Sequence, residues 1–197
     1  RARRFRRELE ALPENAPPEI RWQLHRLLGV AELKLGRERE GIAHLRRAYE
    51  LLESVRSLVG GNYAAETTFQ LGVAYMRLGE TQNCCARFTP ESCILPLRDG
   101  ALHTQQEGSR NAIRFFLEVA RDPDAGDAER LGAIWLLNLA HMTLGEYPGA
   151  VPESFRIPPA AFETEIAFPR FRNVALKLGL STFNLSGGVV VDDLDGD

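Results

Sequence analysis

The three cysteines of the chain, Cys84, Cys85 and Cys93, fall within about ten residues, and His103 follows after about ten more. Three chemistries suit this grouping. A disulfide from Cys93 to Cys84 or Cys85 would close a short loop and contribute ~2–3 kcal/mol. Pairing of the vicinal Cys84 and Cys85 is disfavoured, because adjacent residues hold their sulfurs in a strained geometry. A metal site built from Cys84 or Cys85, Cys93 and His103 would offer thiolates and an imidazole, which suit zinc or copper. That spacing lacks the short C-x₂₋₄-C pair of standard zinc signatures. Buried free thiols are the third reading, and the sequence leaves all three open.

Catalytic signals are sparse. A Cys–His nucleophile pair from this stretch is conceivable, but no family signature surrounds either residue. The chain has no G-x-S-x-G elbow, Walker loop or H-E-x-x-H, and lacks the C-x-x-C-H of covalent haem attachment. His25, His44 and His141 read as packing or surface residues, and the glutamates as solvated helix faces.

The elements that position the cysteines come from a repeat. Leu28-Gly29 with Leu35-Gly36, Leu71-Gly72 with Leu78-Gly79, and Leu137-Asn138 with Leu144-Gly145 share one internal spacing. About 43 residues separate Leu28 from Leu71, and about 66 separate Leu71 from Leu137. Apolar residues at helical spacing follow the first copy to the neighbourhood of Leu52. This pattern is similar to the tetratricopeptide repeat, whose antiparallel helix pairs recur every ~34 residues. Gly29 and Gly72 fit points of close helix approach, and Gly36, Gly79 and Gly145 fit turns. Asn138 is a poorer match in the third copy.

Residues 18–152 are therefore expected to form a mainly α, tetratricopeptide-like solenoid of helical hairpins, interrupted by an insertion at 81–108. The insertion shows no helical period and exceeds the length of an ordinary structureless loop, so something must pin it. A helix capped by Ser109 is expected after it. Pro148 and Pro152 end the last repeat. Residues 1–17 form a basic N-terminal helix or arm, residues 153–170 a Pro-rich linker, and Phe162, Thr164, Ile166 and Phe168 alternate like a strand.

Across 197 residues, 44 % are hydrophobic and 26 % charged, which is globular composition. The net charge is −3, and five arginines lie in the first seven residues, so the rest of the chain is acidic. This argues against a nucleic-acid surface. No apolar run reaches the ~20 residues of a membrane helix.

The tail has its own character. Phe171–Leu180 reads as a short helix stopped by Gly179, and Gly187-Gly188 leads into the strand-like Val189–Val191 and the run Asp192-Asp193-Leu194-Asp195-Gly196-Asp197. This stretch, 171–197, resembles the opening of an FG-GAP/VCBS β-propeller of the CRTAC1-like (ASPIC/UnbV) family. The resemblance implies that the chain is cut at the first strand of the propeller and that Asp193, Asp195 and Asp197 are Ca²⁺ ligands, a set left incomplete by the end of the chain. It further implies an exported bacterial protein, periplasmic or extracellular, in which a disulfide is permitted. Tetratricopeptide repeats often precede the propeller in this family.

Function follows as an expectation. The chain reads as a non-enzymatic interaction or assembly module, holding a protein partner or its own propeller. The alternative is an enzyme or enzyme accessory of natural-product biosynthesis with a Cys/His metal site in the insertion. Oligomeric state is left open. The repeat register assigns the groove to Gln23, Arg26, Val30 and Leu33, then Glu66, Phe69, Val73 and Met76, then Gly132, Trp135, Leu139 and Met142. An apolar face of this size invites aggregation if bare. The insertion or the segment around Phe155–Phe168 is therefore expected to cover Phe69 and Trp135.

Overall fold

In the computed structural model, which describes residues 1–87, 89, 91–163, 172 and 174–179, the chain is mainly α-helical, with no strand among the described residues. Helices α1 (Ala2–Glu10), α2 (Pro18–Leu33), α3 (Glu38–Val59), α4 (Gly61–Glu80), α5 (Glu107–Arg121) and α6 (Asp127–Thr143) follow in order. A π-helical turn, Thr81–Cys85, extends α4, and short 3₁₀ turns occur at Asp99–Ala101, Glu153–Phe155 and Pro159–Phe162. Residues 1–163 make one compact unit and residues 164–197 another.

Each helix packs on the next, and α4 also touches α2 and α6. The order of contacts shows that α2 and α3 run antiparallel. Trp22 clusters with Ala48, Leu52 and Val55, Gly29 sits against Leu45, and Leu33 leans over Gly41. A Cβ at Gly29 would lie 2.6 Å from Leu45 Cγ and 3.0 Å from the Gly41 carbonyl, so only a hydrogen fits there. Gly72 plays the same part between α4 and α5, where a Cβ would meet the Phe116 ring at 2.7 Å. Around these contacts Leu45, Leu71, Tyr75, Phe115, Phe116 and Leu137 form one apolar core.

Several expected boundaries shift. Helix α3 continues to Val59 instead of ending near Leu52, because Val55 supplies one more turn of buried apolar surface. Gly79 is helical and meets Gly108 and His103, whereas Gly36 and Gly145 take the left-handed turn conformation, with φ +70° and +71°. Helix α5 begins at Glu107, and Ser109 is not its cap: that side chain is buried and bonded elsewhere. Phe162 lies on a 3₁₀ turn and not on a strand. Residues 153–163, expected as linker, belong to the helical unit. In the second unit, residues 175–179 form a turn, with Gly179 at φ +71°. The expected strand Val189–Val191 and the aspartates Asp193, Asp195 and Asp197 lie outside the described residues.

Helix α1 docks on α2 through Ala2, Phe5, Leu9, Leu28 and Ala31. Its Arg6 also reaches Glu32, whose side chain is 0 % exposed and carries a second partner, with distances of 2.6 Å to Arg6 and 3.2 Å to Arg37. Glu32 is thus no solvated surface glutamate. A buried carboxylate of this kind is tolerated because two guanidinium groups replace its water.

Candidate functional site

Asn83 pins the insertion. Its Nδ2 donates to Gly79 O at 2.8 Å and Gln105 O at 3.0 Å, and its Oδ1 accepts from the backbone N–H of Thr104 at 2.9 Å and Gln105 at 3.0 Å. One side chain thereby ties the end of α4 to the last residues before α5. The backbone N–H of His103 adds a 2.7 Å bond to Thr143 O at the end of α6.

A chain of side chains lies beneath. His103, 4 % exposed, places Nδ1 at 2.9 Å from Ser109 Oγ. Thr143 Oγ1 lies 2.7 Å from Ser109 Oγ and 2.7 Å from Ala140 O. The Thr143 hydroxyl is placed to donate to both, sharing its one proton between them. Ser109 Oγ thus accepts from Thr143 and bonds Nδ1 of His103 on its other side. Burial holds His103 below the usual imidazole range, which keeps it neutral. On the other edge of the ring, the Cys84 thiol faces Nε2 at 3.4 Å.

Three free thiols are present: Cys84 half-buried, Cys85 and Cys93 exposed. No disulfide joins them, and order in the insertion comes from Asn83 and from the bonds of His103. Burial pushes the Cys84 thiol up, and neighbouring Cys93, Glu80 and Cys85 add to this as negative charges when ionised. A protonated thiol beside a neutral imidazole is a poor nucleophile at neutral pH. Among the described residues no three His, Cys, Asp or Glu side chains converge as a metal site would require. The structure brings together Cys84 and His103; Cys93 lines the same cavity without completing a ligand set.

That cavity measures about 360 Å³. Val73 and Met76 of α4 form one wall, Leu136 and Leu139 of α6 another, and Leu95 and Leu97 of the insertion the roof. Arg77 and Glu80, 3.7 Å apart and both exposed, stand at its rim. A small void beside it collects Leu95, Trp135, Leu139, Met142 and Phe162. The insertion and the residues after α6 thus do reach the apolar face, through Leu95 and Phe162. Cover is incomplete: Phe69 is half-buried, while Trp135 remains 42 % exposed, with Phe162 at a ring-centre distance of 6.0 Å.

At the other end of the same face, Glu19, Ile20, Trp22, Gln23 and Arg26 of α2 surround an open cavity of about 350 Å³ with Val59 and Tyr63. Arg26 pairs with Glu66 of α4 at 2.8 Å, and Gly132 of α6 approaches Phe69 of α4. Two N–H donors here are buried without an acceptor, Trp22 Nε1 and Arg26 Nε. Val30 packs against the core, and Leu33 is taken up by its contact with Gly41.

Asn138 also acts in an unexpected way. Nδ2 donates to Ile134 O at 2.9 Å and Phe155 O at 2.8 Å, and Oδ1 accepts from Ile157 N–H at 3.0 Å. Tyr147 adds a 2.6 Å bond to Ile157 O. Where Gly29 and Gly72 each receive a helix, Asn138 receives extended backbone against an amide. Away from the cavities, His25 and His44 meet between α2 and α3 with Nδ1 atoms 3.1 Å apart. Burial first, then His44 and the cations Arg47 and Arg21, bring His25 down to about 4, against a smaller opposing pull from Glu50. No helix among the described residues is long and apolar enough to cross a membrane. Set against protein-family models, curated proteins and solved structures, the chain matches none of them.

Proposed function

We propose that the helical unit is a tetratricopeptide-like module that holds an extended peptide segment of a protein partner on the face shared by α2, α4 and α6. The pair of orphaned donors carries this reading. Trp22 and Arg26, one turn apart on α2, both line an open cavity, and their Nε1–H and Nε–H are buried beneath its surface with no acceptor. An unmet buried donor costs ~1–3 kcal/mol, which a peptide carbonyl would recover on displacing the side-chain atoms that cover these two groups. Ile20 and Tyr63, both exposed, offer apolar contact to a side chain beside that carbonyl. Support for the repeat comes from the equivalent close approaches at Gly29 and Gly72.

The wider reading keeps the module in an exported protein. Residues 171–197 open a calcium-binding FG-GAP/VCBS propeller, with Asp193, Asp195 and Asp197 contributing carboxylates to Ca²⁺ and the propeller as the alternative partner, in the same chain. Selection of a random peptide library on the immobilised chain tests the module. Peptides should be enriched that quench Trp22 and lose binding in Tyr63→Ala. Absence of any enriched peptide, or enrichment indifferent to Tyr63, overturns the reading. Calcium titration of the chain against its Asp195→Asn variant tests the carboxylates separately.

A further inference from the structure

We propose that the roofed cavity between α4, α6 and the insertion binds the alkyl chain of a medium-chain amphiphile, of the fatty acid or fatty alcohol type, by its apolar body alone, with the polar head left in water. The cavity shares no lining residue with the one bordered by Trp22 and Arg26, so the inference does not rest on the peptide reading.

Size and lining select the chain. About 360 Å³ falls within the range of small-molecule pockets. Val73 and Met76, Leu136 and Leu139, and Leu95 and Leu97 make three aliphatic walls. An alkyl chain gains by leaving water for such walls, in proportion to the apolar area removed. The polar groups among the described lining residues offer a head nothing further. Both ring nitrogens of His103 already have partners within the protein, Nδ1 in Ser109 Oγ and Nε2 in the Cys84 thiol. The Thr143 hydroxyl donates to Ser109 Oγ and the Ala140 carbonyl. None of these contacts has to break for a chain to enter, whichever ring nitrogen carries the proton. At the mouth Arg77 and Glu80 lie 3.7 Å apart, and each is more than half exposed. Their opposite charges offset each other and are screened by water, so a carboxylate head and an ammonium head meet nearly the same field. Chain length is then what decides affinity.

The test is calorimetric titration of the full chain with 1-octanol, octanoate and octylammonium below their micelle concentrations, then with the six-carbon member of each. The three heads should bind within about fivefold of one another, the most that an exposed ion pair is worth. Removal of two methylenes should weaken every compound by about fourfold for each. Leu97→Trp fills the cavity from its roof and should eliminate binding of all of them, with the helical circular-dichroism spectrum retained. Met76→Gln keeps the length of a wall residue but makes it polar. It should weaken the three eight-carbon compounds by one common factor, and it decides the matter should Leu97→Trp fail to fold. A head preference beyond the fivefold margin, affinity indifferent to chain length, no binding by any of the three, or binding untouched by either variant each overturns the proposal.

Discussion

The α2/α3 hairpin and the region around α6 solve one packing problem with different chemistry. In the hairpin, Gly29 removes its side chain so that a helix can come close, and the contact is made of backbone and Leu45. At the corresponding point of α6, Asn138 keeps its side chain buried and uses it to hydrogen-bond the extended residues Phe155 and Ile157. A helix satisfies its own backbone and needs only space, whereas an irregular segment needs its N–H and C=O groups matched from outside. Asn83 applies the same solution to the insertion. In both irregular segments an amide side chain supplies the hydrogen bonds that a helix makes for itself.

The largest effect should come from Asn83→Ala. It strands the N–H groups of Thr104 and Gln105 and the carbonyl of Gln105, and at ~1–3 kcal/mol for an orphaned group should cost about 3 kcal/mol in all. Urea unfolding measures the loss, and limited proteolysis should begin within 86–104 before the rest of the chain is cut. A variant as stable and as protease-resistant as the parent would remove the amide from this account. Asn138→Gly sharpens the contrast directly, since glycine occupies the equivalent position elsewhere. It should destabilise by roughly 2 kcal/mol through the stranded Phe155 carbonyl and Ile157 N–H, and expose 152–163 to protease. Gly29→Ala probes the other side of the comparison. A Cβ against Leu45 and the Gly41 carbonyl should cost ~1–2 kcal/mol by overpacking, without opening either irregular segment to proteolysis. The gentlest prediction is the pH response of the helix-only region. His25 is held at about 4 when folded, against an ordinary value of 6.5. Between those values the unfolded chain binds a proton that the folded one does not, so stability should fall as pH drops from 6.5 to 4 and level off below. After discounting for the partial exposure of the ring, this contribution should be about 1–2 kcal/mol, read as the difference between the parent and His25→Phe in thermal unfolding at several pH values. Burial lowers His44, His103 and His141 too, so a remainder persists in the variant.

Helical architecture was legible where it repeats itself. Leu28-Gly29 and Leu71-Gly72 mark real close approaches, and the Gly36 and Gly145 turns follow from the same spacing. Gly79 was misread because its copy runs on through the π-helical turn. The site was less legible, for a physical reason. Asn83 sits in aperiodic sequence, where an asparagine reads as a turn residue, and nothing in its neighbours reveals two strands of backbone waiting to bond it. Ser109 looked like a helix cap because capping and buried relays draw on the same hydroxyl chemistry. Glu32 could have been found: it follows Leu28 and Gly29 at helical spacing on the buried face, and the arginines at the start of the chain supply its counter-charge.

Helix α1 carries a consequence for the order in which the chain becomes structured. Nine residues are too few to hold a helix in water unaided, and the apolar residues that receive Phe5 and Leu9 belong to α2. During synthesis α1 leaves the ribosome before its binding surface exists. It must wait without that surface, as a strongly cationic segment, until Leu28, Ala31 and Glu32 have emerged. The Arg6–Glu32 contact is then made late, closing the edge of the helical stack. The earliest part of this unit to be made is thus not the first to find its place.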